Sequence, residues 1–369
     1  MSNRSIALDV RMWDHPGIGR YIRELVQQPS YSSFENGIYF LGYRKFKDQI
    51  LNGASENRFR EAPSKIYSLN EQWDIPRKAG DAGLLHVPHF NVPILFQKKL
   101  VVTVHDLIYV RDKEAMPSLL GKTYVSFLLK HIQKKAAAVI TVSENTKKNL
   151  LEFLPNMSPD RIFVTHEAAS TIFKKIDNRE KLEETKTRHR LRLPFVLFVG
   201  SLKTHKNIPT LIKALANLRE KKGVVHELVL VGRPDPRNSG LLSLINQNSF
   251  VRHFSELKDE ELVCFYNLAD LFVLPSFIEG FGLPLIEAMA CGTPIIASNQ
   301  SSLPEILGEA GMLFDPYQVD ALSEVLYNVL KNRELQETMS KKGLERAKLF
   351  SWEKTARETL EVYRRVLDG

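Results

Sequence analysis

The sequence predicts an α/β protein built from two doubly wound domains. Short apolar runs alternate with helical patterns along the chain, as expected for parallel strands joined by crossover helices. The runs are continuously apolar, which favours strands that are buried on both faces of a sheet. A chain of 369 residues is too long for one ordinary core, so we expect two domains of roughly 150 to 200 residues each.

The first half of the chain contains six predicted strands and three predicted helices. The strands are SIALDVRMW, GIYFLGY, GLLHVPH, LVVTVHD, AAVITVS and RIFVTHE. The helices are predicted near Gly19–Val26, Pro117–Lys135 and Glu144–Phe153. Together these elements predict a first domain that comprises residues 1–172.

A polar stretch, KKIDNREKLEETKTRHRLRLP, separates a second series of strands from the first. Residues 173–189 are predicted as a linker. The second domain, residues 190–351, contains the predicted strands FVLFVGS, ELVLVGR, FVRHFSE, DLFVLPS, TPIIAS and GMLFD. The last helix, residues 352–369, is expected to pack back on the first domain. Ligands of such sheets bind beyond the carboxyl ends of the strands, so two facing domains predict a site in the cleft between them.

Composition excludes several classes of protein. No run approaches the roughly 18 apolar residues of a membrane span, and the N-terminal sequence MSNRSIALDV shows no export signal, so we expect a cytoplasmic protein. The net charge of +8 suits nucleic acid, an anionic membrane or phosphate-bearing substrates. The basic residues are dispersed and form no known RNA- or DNA-binding pattern, so no nucleic-acid partner is expected. Cys264 and Cys291 are predicted to be reduced packing residues.

The densest basic cluster lies on the predicted helix GKTYVSFLLKHIQKKAAA. Lys122, Lys130, Lys134 and Lys135 share this helix with apolar residues. Two interpretations are open: a solvated helix face that packs on a sheet, or a surface that docks peripherally on the inner face of an anionic membrane.

The segment FIEGFGLPLIEAMACGTP carries the clearest functional signal. It follows the predicted strand DLFVLPS, and Pro284 suits the first turn of the next helix because its nitrogen needs no partner there. Gly280 and Gly282 let the backbone approach a ligand, and free amides at the helix start favour a diphosphate. Glu279 and Glu287 can accept hydrogen bonds from sugar hydroxyls. The combination predicts a nucleotide-sugar site; the alternative is a helix start stabilised by acidic residues.

Further candidate residues follow other predicted strands. His205 and Lys206 lie in FVGSLKTHKN, and Arg233 lies at the equivalent strand end in LVLVGRPD; such cations can neutralise a diphosphate. His105 ends the strand in VVTVHDL. The chain contains no D-x-D sequence, so neither a divalent metal nor another cofactor is expected. The segment GIGRYI lacks the last glycine of a dinucleotide fingerprint, so it adds little support for a nicotinamide enzyme.

These residues resemble those of retaining GT-B glycosyltransferases, the large group 1 family that includes bacterial mannosyltransferases. Glu279 and Glu287 match the E-x(7)-E motif, GSLKTHKN is similar to the family's donor loop, and HPGIGRY is similar to its N-terminal glycine-rich loop. The resemblance extends from Ile6 to the last helix. It implies two Rossmann-like domains that face each other across a cleft, with the acceptor bound by the first and the nucleotide sugar by the second.

The resemblance also implies roles for individual residues. It places His105 and Glu279 at the sugar, Lys206 on the diphosphate and Glu287 on the ribose. The implied catalytic residues are His105, Lys206 and Glu279. Many relatives have arginine where this chain has Ser201, and some have arginine where it has His205, so the second phosphate cation is open between His205 and Arg233. The implied donor-binding set is Gly17, Gly19, Ser201, His205, Lys206, Arg233, Glu279, Gly280, Phe281, Gly282, Leu283 and Glu287.

The expected activity is metal-independent, retaining transfer of a hexose from a nucleotide diphosphate sugar to a hydroxyl of a glycan or lipid-linked acceptor in polysaccharide biosynthesis. Mannose from GDP-mannose is the favoured donor, and a UDP-sugar is the next. The open alternatives are a sugar-nucleotide epimerase, a nicotinamide oxidoreductase, and a non-catalytic scaffold that binds nucleotide sugars or docks on a membrane.

Overall fold

The structure is a computed structural model that describes residues 4–35, 37–111, 118–192 and 194–369. The chain divides into two compact units: a first unit of Met1–Glu167 with Ser351–Gly369, and a second unit of Ala168–Phe350. The predicted helix start at Pro117 lies outside the described residues. Within the described ranges, no helix is long and apolar enough to cross a membrane.

The first unit contains a parallel sheet with the strand order β3-β2-β1-β4-β5-β6-β7. The strands are β1 (Ile6–Asp9), β2 (Ile38–Gly42), β3 (Phe59–Glu61), β4 (Leu84–Val87), β5 (Lys99–Val104), β6 (Ala138–Thr141) and β7 (Ile162–Val164). The helices between them are α1 (Ile18–Val26), α2 (Pro29–Ser32), α3 (Lys47–Leu51), α4 (Glu71–Lys78), α5 (Ile108–Arg111), α6 (Leu119–Lys135) and α7 (Glu144–Phe153).

The second unit contains a parallel sheet with the order β10-β9-β8-β11-β12-β13. Its helices and strands are α8 (Arg179–Arg188), β8 (Phe195–Val199), α9 (Ile208–Lys222), β9 (Glu227–Val231), α10 (Ser239–Gln247), β10 (Val251–Phe254), α11 (Asp259–Leu268), β11 (Leu271–Leu274), α12 (Leu283–Cys291), β12 (Ile295–Ser298), α13 (Leu303–Leu307), β13 (Met312–Phe314), α14 (Val319–Lys331) and α15 (Arg333–Ala347). The last helix, α16 (Trp352–Asp368), belongs to the first unit and packs on α1 and α2.

Continuous apolar strands form the centre of both units. Every residue of β1, β4, β8, β9 and β11 is buried, because helices cover both faces of each sheet. Helix α6 shows how the covering helices pack: it buries Val125, Leu128, Leu129 and Ile132 at helical spacing. Side chains on both faces of each strand therefore pack against helices, which is why apolar and polar residues do not alternate along these strands.

The predicted α/β class with two parallel sheets is confirmed, and each predicted strand is present. Strand β3 was not predicted because it contains only the residues FRE, lies at the edge of the sheet and is incompletely buried. The segment predicted as a linker, residues 173–189, contains α8, which packs on α11. Cys264 and Cys291 are both buried and free.

Candidate active site

The candidate site lies at the carboxyl ends of β8 and β11 in the second unit. These strands are neighbours at the centre of the sheet, and the chain extends from them in opposite directions, to β9 and β10 on one side and to β12 and β13 on the other. The order of the strands reverses at this point, and doubly wound proteins bind ligands beyond the carboxyl ends of the strands at such a switch point. Both predicted donor loops, residues 200–207 and 275–282, begin here.

The loop after β8 depends on two glycines at neighbouring strand ends. Gly200 and Gly232 have φ values of +150° and +151°. A Cβ atom on Gly232 would lie 1.9 Å from the carbonyl oxygen of Gly200, so no other residue fits there. The approach lets Leu202 donate its amide to the carbonyl of Arg233 at 2.9 Å, which extends the pairing of the two strands into their loops.

The loop after β11 is fixed to its neighbours by hydrogen bonds. The amide of Phe277 donates to the carbonyl of His205 at 2.8 Å, which joins the two donor loops. The hydroxyl of Ser301 accepts the amide of Glu279 and donates to its carbonyl, at 3.1 and 2.6 Å. Gly282 then caps α12 in the left-handed conformation, with a φ of +99°, and the helix begins with a proline in its first turn.

The two loops bring Lys206 and Glu279 together. Lys206 Nζ lies 2.6 Å from Glu279 Oε1, and the side chains are only 12% and 9% exposed. The hydroxyl of Ser276 donates to the same oxygen at 2.6 Å. Burial alone would raise the pKa of Glu279, but the charge and hydrogen bond of Lys206, with Ser276, hold it below its ordinary value. Oε2 has no hydrogen-bond partner among the described residues.

Glu287 lies in the second turn of α12 and is buried. Its Oε2 accepts a hydrogen bond from the hydroxyl of Tyr266, on α11, at 3.0 Å. The two glutamates of the motif thus have different partners: a cation for Glu279 and a phenol for Glu287. The ribose role of Glu287 stays a prediction.

His205 and Arg233, the two candidates for a second phosphate cation, differ in their surroundings. His205 is buried close to Glu279. Burial has the largest effect on the pKa of Glu279 and raises it, whereas Lys206 and Ser276 lower it. The charge of His205 lowers this pKa a little further. Arg233 is exposed and pairs with Glu256 at 2.7 Å. Such a surface pair contributes little free energy, so it does not prevent Arg233 from binding an anion.

The remaining predicted donor residues lie on the loop and first turn that lead into α12, or at the end of β8. Phe281 is buried, and its ring packs edge-on against Phe350. Ser201, Gly280 and Leu283 are half-buried.

In the first unit, His105 follows β5 and is held at both ring nitrogens. Nδ1 lies 3.0 Å from Glu167 Oε1, and Nε2 lies 3.2 Å from the carbonyl oxygen of Pro88. Both oxygens are hydrogen-bond acceptors, and they orient the ring from two sides. The ring of Tyr21, on α1, packs edge-on against His105 with centroids 4.8 Å apart.

The two glycines of the N-terminal loop differ from each other. A Cβ atom on Gly19 would lie 2.5 Å from the carbonyl oxygen of Trp13, so this glycine is required by packing. Its amide already donates to the carbonyl of His15 at 2.9 Å and is not available to a phosphate in this structure. A Cβ atom on Gly17 would meet no atom within 4 Å, and the Gly17 amide makes no hydrogen bond among the described residues.

A buried charge cluster that was not predicted from the sequence lies after β1. Arg11 NH2 lies 2.7 Å from Asp9 Oδ2 and 3.0 Å from Glu71 Oε2, and all three side chains are buried. Burial would lower the pKa of Arg11, but the two carboxylates together raise it above its ordinary value. Charged residues directly after an apolar strand, in LDVR, were the available signal. In the second unit, the signal for Ser276 was a polar residue shortly after the apolar strand, in VLPS.

Among the described residues, no group of three or more His, Cys, Asp or Glu side chains is arranged to hold a metal ion. The expectation of metal independence rests on the sequence and stays a prediction.

The two parallel sheets and the buried Lys206–Glu279 pair at the carboxyl ends of β8 and β11 are those of a doubly wound α/β protein with its candidate site at a topological switch point. The family described as "Glycosyl transferases group 1" matches residues 179–346, and the one described as "Glycosyltransferase Family 4" matches residues 17–171. The chain belongs to the group 1 glycosyltransferases, and it is a glycosyltransferase enzyme.

Similar proteins of known activity include mannosyltransferases. The O-antigen chain mannosyltransferase B of Escherichia coli is 29% identical over 94% of this chain and 96% of its own length. The MMP alpha-(1->4)-mannosyltransferase of Mycolicibacterium hassiacum is 30% identical over 77% of this chain and 68% of its own length. The structure of Anabaena HepE in complex with UDP and glucose covers 98% of this chain and 99% of its own, with a TM-score of 0.77 and 16% identity. The predicted resemblance to the GT-B glycosyltransferases is confirmed.

Proposed function

We propose that this enzyme transfers mannose from GDP-mannose, with retention of configuration, to a hydroxyl of a glycan or lipid-linked acceptor. The observation that carries the proposal is the pair of Lys206 and Glu279 at the carboxyl ends of β8 and β11. A cation suits the diphosphate of such a donor, and a carboxylate with one unused oxygen suits the hydroxyls of its sugar.

Lys206 stabilises the leaving group in this proposal. The bond between the anomeric carbon and the diphosphate oxygen breaks, and the nucleoside diphosphate leaves with the electron pair. Negative charge develops on the diphosphate, and the buried ammonium of Lys206 and the amides at the start of α12 offset it. The acceptor oxygen bonds to the same face of the sugar, and its proton passes to the departing phosphate oxygen.

Glu279 orients the sugar. Its Oε1 is held by Lys206 and Ser276, so the direction of the carboxylate is fixed before the donor binds. Oε2 is then available to accept a hydrogen bond from a sugar hydroxyl. The pKa of Glu279 lies below its ordinary value, so the group is ionised at neutral pH and acts as an acceptor only.

Relatives support mannose as the transferred sugar, since two proteins similar over most of this chain are mannosyltransferases. A nucleotide sugar as the donor is supported by the similar fold of HepE, which was crystallised with UDP and glucose. A UDP-sugar is therefore the second candidate donor.

The test is transfer and donor hydrolysis with GDP-mannose, UDP-glucose and ADP-glucose, followed by mass spectrometry of the products. We expect mannose transfer and release of GDP, and the anomeric configuration of the product is read by NMR. Activity that persists in EDTA supports metal independence, whereas complete loss that added Mg²⁺ or Mn²⁺ restores contradicts it.

The same assay separates the alternatives. An epimerase would convert the donor to another nucleotide sugar without releasing a nucleoside diphosphate. A scaffold would bind the donor and leave it unchanged. Either result would replace the proposed function.

A further inference from the structure

The first unit carries a patch of exposed apolar side chains that the proposed function does not use. Single exposed apolar residues are normal on a surface, but a contiguous group marks an interaction site. Leu119 and Leu120 are 78% and 83% exposed, and Trp73 is 62% exposed. We name as the apolar patch the exposed residues Tyr67, Leu69, Trp73, Leu95, Leu119, Leu120, Tyr124 and Phe127.

Hydrogen bonds show that the segments of the apolar patch are neighbours. The hydroxyl of Tyr124, on α6, donates to Asn91 Oδ1 at 3.1 Å, and Asn91 Nδ2 donates to Glu71 Oε1, at the start of α4, at 2.9 Å. The amide of Ile94 donates to Gln72 Oε1 at 2.7 Å, which brings the loop of Leu95 to the same helix. The start of α4 and the first two turns of α6 therefore flank one loop and form one surface.

Lysines continue the same face of α6 beyond the apolar patch. Phe127, Lys130 and Lys134 follow one another at spacings of three and four residues, which place them on one side of a helix. Lys122 and Lys135 are also on α6, and the helix contains no carboxylate. An apolar end followed by lysines that have no carboxylate on their own helix matches a bilayer interface, where acyl chains lie below anionic headgroups.

We propose that the apolar patch docks the enzyme on the surface of an anionic phospholipid bilayer. Leu119, Leu120 and Phe127 enter the acyl boundary, and Lys130 and Lys134 lie among the headgroups. Trp73 and the tyrosines suit the interface because their rings are apolar with one polar atom. This inference does not depend on the sugar or the nucleotide of the donor.

Charge favours a bilayer over a second copy of this chain. A symmetric contact through α6 would bring two helices together whose lysines have no carboxylate on either helix to pair with. The two acidic residues of α4 are already bonded, Glu71 to Arg11 and Asn91, and Asp74 to Ser64. A symmetric contact through α6 therefore leaves these lysines without a carboxylate from the facing α6, whereas an anionic membrane compensates them.

Trp73 reports directly on the docking. The chain contains three tryptophans, and Trp13 and Trp352 are buried. We expect vesicles of phosphatidylglycerol and phosphatidylcholine to shift the emission of the protein to the blue, and brominated lipids to quench it. Vesicles of phosphatidylcholine alone should give a much smaller change. Trp73→Phe should lose the spectral response and still sediment with anionic vesicles.

Two double variants test the surface itself by co-sedimentation. Leu120→Ser with Phe127→Ser should lower the partition coefficient for anionic vesicles about tenfold or more, because two large apolar side chains no longer leave water. Lys130→Glu with Lys134→Glu should lower it by a similar factor and weaken its dependence on salt. The matched control is Val225→Ser with Leu349→Ser, which removes exposed apolar residues of the second unit and should change nothing.

Donor hydrolysis in vesicle-free solution and the melting temperature verify that each variant is folded. The proposal is overturned if the wild type does not bind anionic vesicles, or if it binds neutral vesicles equally well. It is also overturned if both double variants on α6 bind anionic vesicles as well as the wild type does. A concentration-dependent dimer that Leu120→Ser with Phe127→Ser abolishes would instead identify a second copy as the occupant.

Discussion

Lys206 and Glu279, which lie 73 positions apart in the chain, form a buried ion pair with Nζ 2.6 Å from Oε1. The pair exists because β8 and β11 are neighbours in the sheet and both loops leave the same edge. A ligand at this edge meets a positive and a negative group whose positions are already fixed.

Loss of Lys206 should slow the chemical step. We expect Lys206→Ala to lower turnover by about 100-fold or more, the usual scale for a lost electrostatic stabiliser, with a smaller change in KM. Lys213→Ala is the matched control, because Lys213 is an exposed lysine of α9 in the same unit and should keep wild-type activity. A Lys206→Ala enzyme with normal turnover would reduce this lysine to a partner of Glu279.

The ion pair should also matter for stability. Lys206→Ala leaves a buried carboxylate without its cation, which we expect to lower the free energy of unfolding by about 3 to 5 kcal/mol. Lys206→Met combined with Glu279→Gln removes both charges and should lower it much less. Urea denaturation of the single and double variants measures the difference. Equal losses in both variants would show that the pair is not coupled.

Alanine substitutions at the two N-terminal glycines should distinguish a role in packing from a role in binding the donor. Gly19→Ala places a Cβ against the carbonyl of Trp13, so we expect a loss of stability of more than about 2 kcal/mol. A Cβ atom on Gly17 would meet no atom within 4 Å, and the backbone there has an ordinary helical conformation. Gly17→Ala should therefore not lower the free energy of unfolding. If the Gly17 backbone approaches the donor, Gly17→Ala should nevertheless raise KM for the nucleotide sugar. Unchanged kinetics would remove Gly17 from the site.

Acid should destabilise the first unit through His86. Burial, and then the charge of His105, lower the pKa of His86 from 6.5 to about 3. Its Nδ1 and Nε2 lie 2.5 and 2.8 Å from the hydroxyls of Tyr363 and Thr103, which satisfy a neutral ring. The folded state binds fewer protons than the unfolded state below pH 6.5, so stability is full above that pH and falls progressively towards pH 3.

The expected loss from His86 alone is about 2 kcal/mol between about pH 7.5 and pH 5. Urea denaturation at the two pH values measures it in the wild type and in His86→Gln. The variant should be less stable at the higher pH but should lose less on acidification. Parallel pH dependences in the two proteins would rule out His86 as the source.

The sequence predicted every strand except β3, and the glycine-containing loops after β8 and β11, because each depends on local residues. Apolar runs between helices define the strands, and glycines next to charged residues define the loops. The pairing of Lys206 with Glu279, and of Arg11 with Glu71, depends instead on which strands become neighbours, and chain order alone does not state this. The bond from Tyr266 to Glu287 had no local signal either, since an aromatic residue on a buried helix is ordinary.

The two glutamates of the motif should fail in different ways. Glu287 is inferred to hold the ribose, so Glu287→Gln should weaken binding of the preferred nucleoside diphosphate, by about tenfold or more for a lost hydrogen bond to a charged group. Glu279 is inferred to contact the sugar, so Glu279→Gln should lower transfer and leave diphosphate binding nearly intact. The structural reason is that Glu279 lies in the loop before α12 and Glu287 lies inside the helix.

Calorimetric titration of GDP, UDP and ADP into both variants, together with turnover measurements, tests this difference. Tyr266→Phe is the matched control, because it removes only the hydroxyl that donates to Glu287. If Tyr266 merely positions that carboxylate, Tyr266→Phe should weaken nucleotide binding less than Glu287→Gln does, and it should not alter transfer at saturating donor. Wild-type diphosphate affinity in Glu287→Gln, or normal transfer by Glu279→Gln, would contradict the assigned roles. Equal losses of affinity in both variants would show that the two carboxylates act on the same part of the ligand.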